Sequence, residues 1–184
     1  MKTTQNELSV FSIQTPLFTA NLLYLIPNNK IIKIIIESPK KNKTINFSKK
    51  ILTTNKNKIS DVLINLFDSI YMYYEKGKLI TVPWDMLELN SFTKLQRNAL
   101  LAVSNIPIGK TKSYKDIAIA IDSPKASRFI GNTMANNIYP LIIPCHRVIK
   151  SDGSLGNFGG GVDLKKNLLE YEKTCLKNNK SYLG

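Results

Sequence analysis

The sequence predicts a mixed α/β chain of the α+β kind. A small antiparallel sheet with a helix is expected in residues 1–90, and a mostly helical domain with a helix-turn-helix and a candidate active-site cysteine in residues 91–184. Three observations carry this. Two strand-sized apolar runs flank a turn cluster near the N-terminus, helix-start signals accumulate after residue 60, and the one histidine stands beside one of the two cysteines.

Leu17–Leu25 and Lys30–Glu37 are the apolar runs, and Pro27-Asn28-Asn29 between them makes a β-hairpin. The next stretch, to about Lys58, is rich in Lys and Asn and is read as an exposed strand-and-loop face. Ser60-Asp61 marks a helix start. Val62, Leu63, Leu66, Phe67 and Ile70 follow at helical spacing, and Gly77 is the stop. Thr81 to Asn90 is a connector, which sets the domain boundary near residue 90. Thr93-Lys-Leu-Gln96 is a capping box for a helix through about Ser104, and Ser113-Tyr-Lys-Asp116 is a second one for a short helix to about Ile121. Ser123-Pro124 is read as the N-cap and first residue of a third helix running to Asn136-Asn137. Those last two helices, joined by a turn of two or three residues, form the helix-turn-helix candidate. The second has Lys125 and Arg128 as its basic residues, while Ala126, Ser127, Gly131 and Ala135 are small. Small side chains permit close backbone approach, to a nucleic-acid groove or to a packed neighbour, and both readings stay open.

A chain that is 43% hydrophobic can bury a core, which excludes bulk disorder and fibrous classes. Ile31–Ile36 is interrupted by Lys33 and is too short to span a membrane, and no signal-peptide core follows Met1–Glu7, so an intracellular, non-secreted protein is expected. Two cysteines and one histidine cannot build a disulfide framework and nearly exclude a structural zinc site. The net charge is +13, and residues 94–150 hold nine basic groups against Asp116 and Asp122. Such a bias favours a polyanionic partner. Lysine makes up 23 of the 26 basic residues in a chain also rich in Asn and Ile, so compositional drift explains the charge equally well.

Leu141-Ile-Ile-Pro144 reads as a short apolar strand ending in Cys145-His146-Arg147. A free thiol has a pKa of about 8.5 and reacts as the thiolate, so a nucleophilic cysteine needs a base or a positive neighbour. His146 and Arg147 are residues of those two types. Adjacent residues on a strand point to opposite faces, so contact between Cys145 and His146 requires a turn or a bridging water. In the last helix Leu164, Leu168, Tyr171 and Cys175 form one stripe, with Glu172 inside the apolar arc. A core-facing carboxylate needs a partner, and the imidazole completes a Cys145, His146, Glu172 relay. Lys165 also lies near this arc and is expected to snorkel to solvent, with Cys175 in the core. Gly156-Asn157-Phe158-Gly159-Gly160-Gly161 lacks the strand and lysine of a phosphate loop. It is read as leaving room for a flat ligand, with Phe158 as a stacking wall.

Ile143-Pro-Cys-His-Arg-Val148, with the Ser-Tyr-Lys-Asp-Ile-Ala and Ser-Pro-Lys-Ala-Ser-Arg helices upstream and Gly156-Asn157, Leu168-Leu169 and Glu172 downstream, resembles the O6-alkylguanine-DNA alkyltransferase family. The likeness runs from about Thr93 to Glu172. It implies a methylated-DNA–protein-cysteine methyltransferase that repairs O6-alkylguanine, and also O4-alkylthymine, in double-stranded DNA without a cofactor or a metal. In that reading Cys145 accepts the alkyl group in a single turnover, and Glu172 and His146 draw off the thiol proton through a water. Tyr114 helps flip the nucleotide and gives a proton to the leaving guanine. Arg128 fills the gap in the duplex, and Asn137 links the helices to the active-site segment. Ala126, Ser127 and Gly131 face the minor groove, Lys115, Ser123 and Ser151 touch the DNA strand, and Val148, Asn157, Phe158, Gly159 and Gly160 line the base pocket. A monomer is expected, in a prokaryotic cytoplasm or a nucleus, with Gly160 and Pro140 leaving space for adducts larger than methyl. Ile138, Phe129 and Phe158-Gly159 depart from the family's usual residues, and the zinc that some members carry has no ligands here, since no Cys or His precedes Cys145.

Two other classes compete. A non-catalytic sensor of alkylated DNA would not need Cys145. A Cys-His hydrolase or protease would leave Arg128 and the basic strip without a role.

Overall fold

Alternation builds the sheet. In β1 (Glu7–Gln14), β2 (Thr19–Ile26) and β3 (Lys30–Glu37), Phe11, Ile13, Ala20, Leu22, Tyr24, Ile31, Ile34 and Ile36 are buried. With β4 (Ser48–Leu52) they form an antiparallel sheet in the order β3-β2-β1-β4, and the computed structural model describes residues 7–26, 30–39, 48–52 and 61–181. The β2–β3 hairpin is the one expected, although its Pro27–Asn29 turn, the helix start at Ser60 and most of the Lys/Asn-rich stretch lie outside the described residues. Strand β1 was not anticipated. Its turn to β2 is held by Thr15, whose hydroxyl accepts from Leu17 N and Phe18 N and donates to Phe18 O.

Helix α1 (Asp61–Lys76) covers the sheet with Leu63, Leu66, Phe67, Ile70 and Tyr73. Phe67 stacks on Phe11 with ring centroids 4.3 Å apart. Each such side chain contributes about 1.5–3 kcal/mol on burial, against about 1 kcal/mol for a hydrogen bond, so apolar packing dominates this layer. Gly77 ends the helix at φ 58°, its N–H bonded to Tyr73 O. A side chain there is excluded twice, because its Cβ would also lie 2.7 Å from Cys175 Cβ.

Helix α2 (Lys94–Ser104), α3 (Tyr114–Ala120) and α4 (Ser127–Ala135) pack together, and β5 (Lys112–Ser113) pairs in parallel with β6 (Val148–Ile149). Both capping boxes are present: Thr93 with Gln96, and Ser113 with Asp116. The start of α4 differs from expectation. Ser123 and Pro124 instead open a turn closed by Ala126 N to Ser123 O, so α3 and α4 are joined by residues 121–126 rather than by two or three. Proline at the second turn position suits that geometry as well as it suits a helix start. Helix α5 (Val162–Ser181) closes the structure. The two halves meet along β3, where Ile34 N bonds to Ile138 O and Tyr139 Oη to Ile31 O and Glu88 O. Among the described residues no helix is long and apolar enough to cross a membrane.

Candidate active site

The segment before Cys145 is a turn, not the expected strand. Ile143 N bonds to Tyr139 O and Leu141 sits at φ 72°, a left-handed conformation that a leucine holds only under constraint. The constraint is visible. Leu141 is buried, and Asn137 spans the turn: its Nδ2 donates to Ile143 O and to Cys145 Sγ, both at 3.0 Å, while its Oδ1 accepts from Tyr139 N. An apolar run with proline satisfies strand and turn alike, which is why its periodicity misled. Cys145, His146 and Arg147 then form a single 3-10 turn and are all buried.

Glu172, fully buried on α5, gathers this turn. Its Oε1 accepts from His146 Nε2, Arg147 Nη2 and Tyr73 Oη, each at 2.8 Å, and its Oε2 from Gly109 N, also at 2.8 Å; Arg147 Nε reaches both oxygens. Burial alone would raise the Glu172 carboxyl, but the hydrogen bonds and charges of His146 and Arg147 outweigh it and hold the pKa down at about 2. Burial lowers the imidazole, and the Glu172 contact offsets part of that. His146 Nδ1, the nitrogen turned away from Glu172, is buried and has no hydrogen-bond partner among the described residues. Arg147, read from sequence as a positive neighbour of the thiol, is committed elsewhere, to Glu172 and, through Nη1, to Ile106 O.

The positive neighbour of the thiol is Lys165. It does not snorkel. Its side chain is fully buried, with Nζ 2.6 Å from Val148 O and 6.0 Å from the Tyr114 ring centroid. Burial lowers it to about 8, partly countered by Cys145. The Cys145 thiol is pushed up to about 11 by burial, against the lowering effects of the Asn137 hydrogen bond and the Lys165 charge. Tyr114 is half-buried, wedged between Gly131 and Gly156; a Cβ on Gly156 would meet the Tyr114 hydroxyl at 2.0 Å.

The other expected residues fall in two groups. Arg128, Lys115 and Ser151 are exposed, and Ser123, Ala126, Ser127 and Gly131 are half-buried along the α3–α4 region. Val148 is buried and Asn157 is exposed. Phe158 is not an open stacking wall; it is buried edge-on against His146, with centroids 6.2 Å apart. Gly160 leaves no spare room either, because a Cβ there would meet Leu164 Cδ2 at 2.7 Å and Ile36 O at 3.1 Å. Gly159 and Pro140 line a cleft of about 310 Å³ with β3, Asn137 and Ile138. Cys175 is half-buried at Gly77 rather than in the core.

A buried thiol in the same turn as an imidazole paired with a buried carboxylate, near packed helices with exposed basic side chains, sets the candidate active site in a protein of mixed α/β fold. Residues 94–174 match the family model described as 6-O-methylguanine DNA methyltransferase, DNA binding domain, the stretch in which the sequence motifs resemble the O6-alkylguanine-DNA alkyltransferases. It is 42% identical over 113 residues to the methylated-DNA–protein-cysteine methyltransferase of Methanothermobacter thermautotrophicus, a match covering 61% of this chain and 62% of that protein. The Mycobacterium bovis protein of the same name is 43% identical over 82 residues, 45% of this chain and 50% of its own. The chain thus spans half to two thirds of the curated relatives it matches. Its fold is similar to the crystal structure of Mycobacterium tuberculosis OGT in complex with DNA, at 27% identity and TM-score 0.63, covering 90% of this chain and 93% of that one. At 20% identity and TM-score 0.61, the O6-methylguanine-DNA methyltransferase from Pyrococcus kodakaraensis strain KOD1 shares the fold, over 90% of this chain and 99% of its own.

Proposed function

We propose that this chain is a DNA repair protein that transfers the alkyl group of O6-alkylguanine, and of O4-alkylthymine, in duplex DNA irreversibly to Cys145. The observation that carries this reading is the Cys145 thiol set beside the His146–Glu172 pair in the segment that matches this family model. The sulfur attacks the alkyl carbon, an S–C bond forms, and the bond from that carbon to guanine O6 breaks. The thiol proton passes through a water to His146 Nδ1, the nitrogen turned from Glu172, while Glu172 stabilises the imidazolium that results. Tyr114 supplies a proton to the departing guanine. Asn137 and Lys165 stabilise the developing thiolate, one by its Nδ2–H and the other by its charge.

The target atom is shielded inside the base stack, so the nucleotide is rotated out and Arg128 takes its place. Ala126, Ser127 and Gly131 admit the duplex backbone, and Lys115, Ser123 and Ser151 hold the strand. Val148, Asn157 and the 158–160 segment border the flipped base. Residues 1–90 and 91–184 act as two units, in a monomer working inside the cell.

Mixing the protein with an equimolar duplex carrying one O6-methylguanine is expected to leave one methyl on Cys145 by intact-mass and peptide mapping, with no second turnover. Lesion binding without modification would instead establish a sensor. Gly156→Ala is expected to displace the Tyr114 phenol and slow single-turnover transfer by up to about 100-fold, since a misplacement of about 1 Å can cost that much.

A further inference from the structure

Among the described residues, Glu172 receives one hydrogen bond from outside residues 91–184. Tyr73, on α1, places its hydroxyl 2.8 Å from Glu172 Oε1, the same oxygen that His146 Nε2 contacts. The partners are 99 residues apart in sequence. The phenol is only 1% exposed, and its ring is braced edge-on by Tyr171 at 5.9 Å and tilted against Phe18 at 6.5 Å. Burial, and then the negative Glu172, raise this hydroxyl well above the ordinary tyrosine range, so it remains a proton donor wherever the fold survives.

We infer that Tyr73 is a positioning residue for the transfer proposed above, which orients Glu172 toward His146 and sets how much of the carboxylate's charge the imidazole feels. Oε1 divides its acceptor capacity among Tyr73, His146 and Arg147. Arg147 cannot release its share, because its remaining nitrogens are held by Oε2 and Ile106 O. Oε2 is fixed by Gly109 N. Besides His146 itself, Tyr73 is therefore the neutral side-chain donor in the set. Removing it leaves the carboxylate more negative toward His146, and the imidazole binds its proton more tightly. The other charged groups acting on the ring are Lys165 from α5 and Arg147 from its own turn, with Phe158 packed against it, and none of these changes. Residues 1–90 thereby supply part of the relay and are more than a cover for the second half.

Tyr73→Phe in the full chain tests this, because the ring packing against Phe18 and Tyr171 is retained. His146 is the only histidine, so its ring resonances can be followed by NMR without DNA or any assumption about the reaction. The expected result is a titration midpoint higher by about half a unit, roughly threefold in proton affinity, and an acidic limb of the single-turnover pH profile moved by the same amount. A lower melting temperature with both midpoints unmoved would make Tyr73 structural only and overturn the inference. Tyr73→Met, which also removes the hydroxyl, is to be read in the same way if the phenylalanine variant does not fold. A shifted His146 midpoint in a protein that transfers nothing would sink the repair function while leaving the role of Tyr73 intact.

Discussion

Cys145→Ser is expected to abolish alkyl transfer while leaving binding to an alkylated duplex in place. The thiol pKa of about 11 means that roughly one molecule in ten thousand holds a standing thiolate at pH 7. In the proposed transfer a reaction resting on that population would be slow, so the thiol proton is expected to leave as the sulfur attacks, drawn by His146, with the developing thiolate stabilised by Asn137 and Lys165. A serine hydroxyl is far less acidic, and the same relay cannot compensate. The substitution is small and preserves a hydrogen-bond acceptor for Asn137 Nδ2, so the turn at Leu141 and the exposed face with Arg128 and Lys115 should persist. Gel shift on a duplex carrying O6-methylguanine should match the parent, with no mass added to the protein. Retained transfer would reassign the nucleophile.

The sequence made much of this site legible because its signals are local. The capping boxes at Thr93 and Ser113 each lie within four residues, and the helical stripe of α5 marked Glu172 as core-facing. The helix periodicity says which face is buried and nothing about what stands opposite. Lys165 illustrates the limit: its position near the apolar arc was visible, yet only the neighbouring Val148 carbonyl makes burial of its ammonium tolerable. Tyr73 and Arg147 as partners of Glu172 were invisible for the same reason, being set by packing of α1 and the Ile106–Gly109 loop against α5. Strand β1 escaped because Ser9 and Ser12, both buried, break the apolar alternation that announces a strand. Apolar content without β-branched alternation left Leu141–Pro144 open to two conformations, and the side chain of Asn137 selects the turn.

Glu172→Gln should be the most damaging single change to stability. The carboxylate is the common acceptor of Tyr73, Gly109, His146 and Arg147, and its amide would leave the Arg147 guanidinium buried without a counter-charge. Removing one partner of a buried ion pair costs about 3–5 kcal/mol, or roughly 10 °C in melting temperature for a chain of this size. The pH dependence separates this from generic damage. Glu172 has a folded pKa of about 2, below its ordinary value of 4.5, so its stabilisation is complete above pH 4.5 and is lost as pH falls toward 2. His146, whose folded pKa is also lowered, adds a loss that begins as pH falls through its ordinary value of 6.5. In urea unfolding across pH, the parent should lose stability in both windows. Glu172→Gln should lack the loss between 4.5 and 2 and be destabilised throughout the neutral range. Transfer should fall as well, because the imidazole without Glu172 is a weaker base and no longer held in one orientation. A variant of parental stability at pH 7 would mean that the four donors do not depend on this carboxylate, and the relay would have to be redrawn.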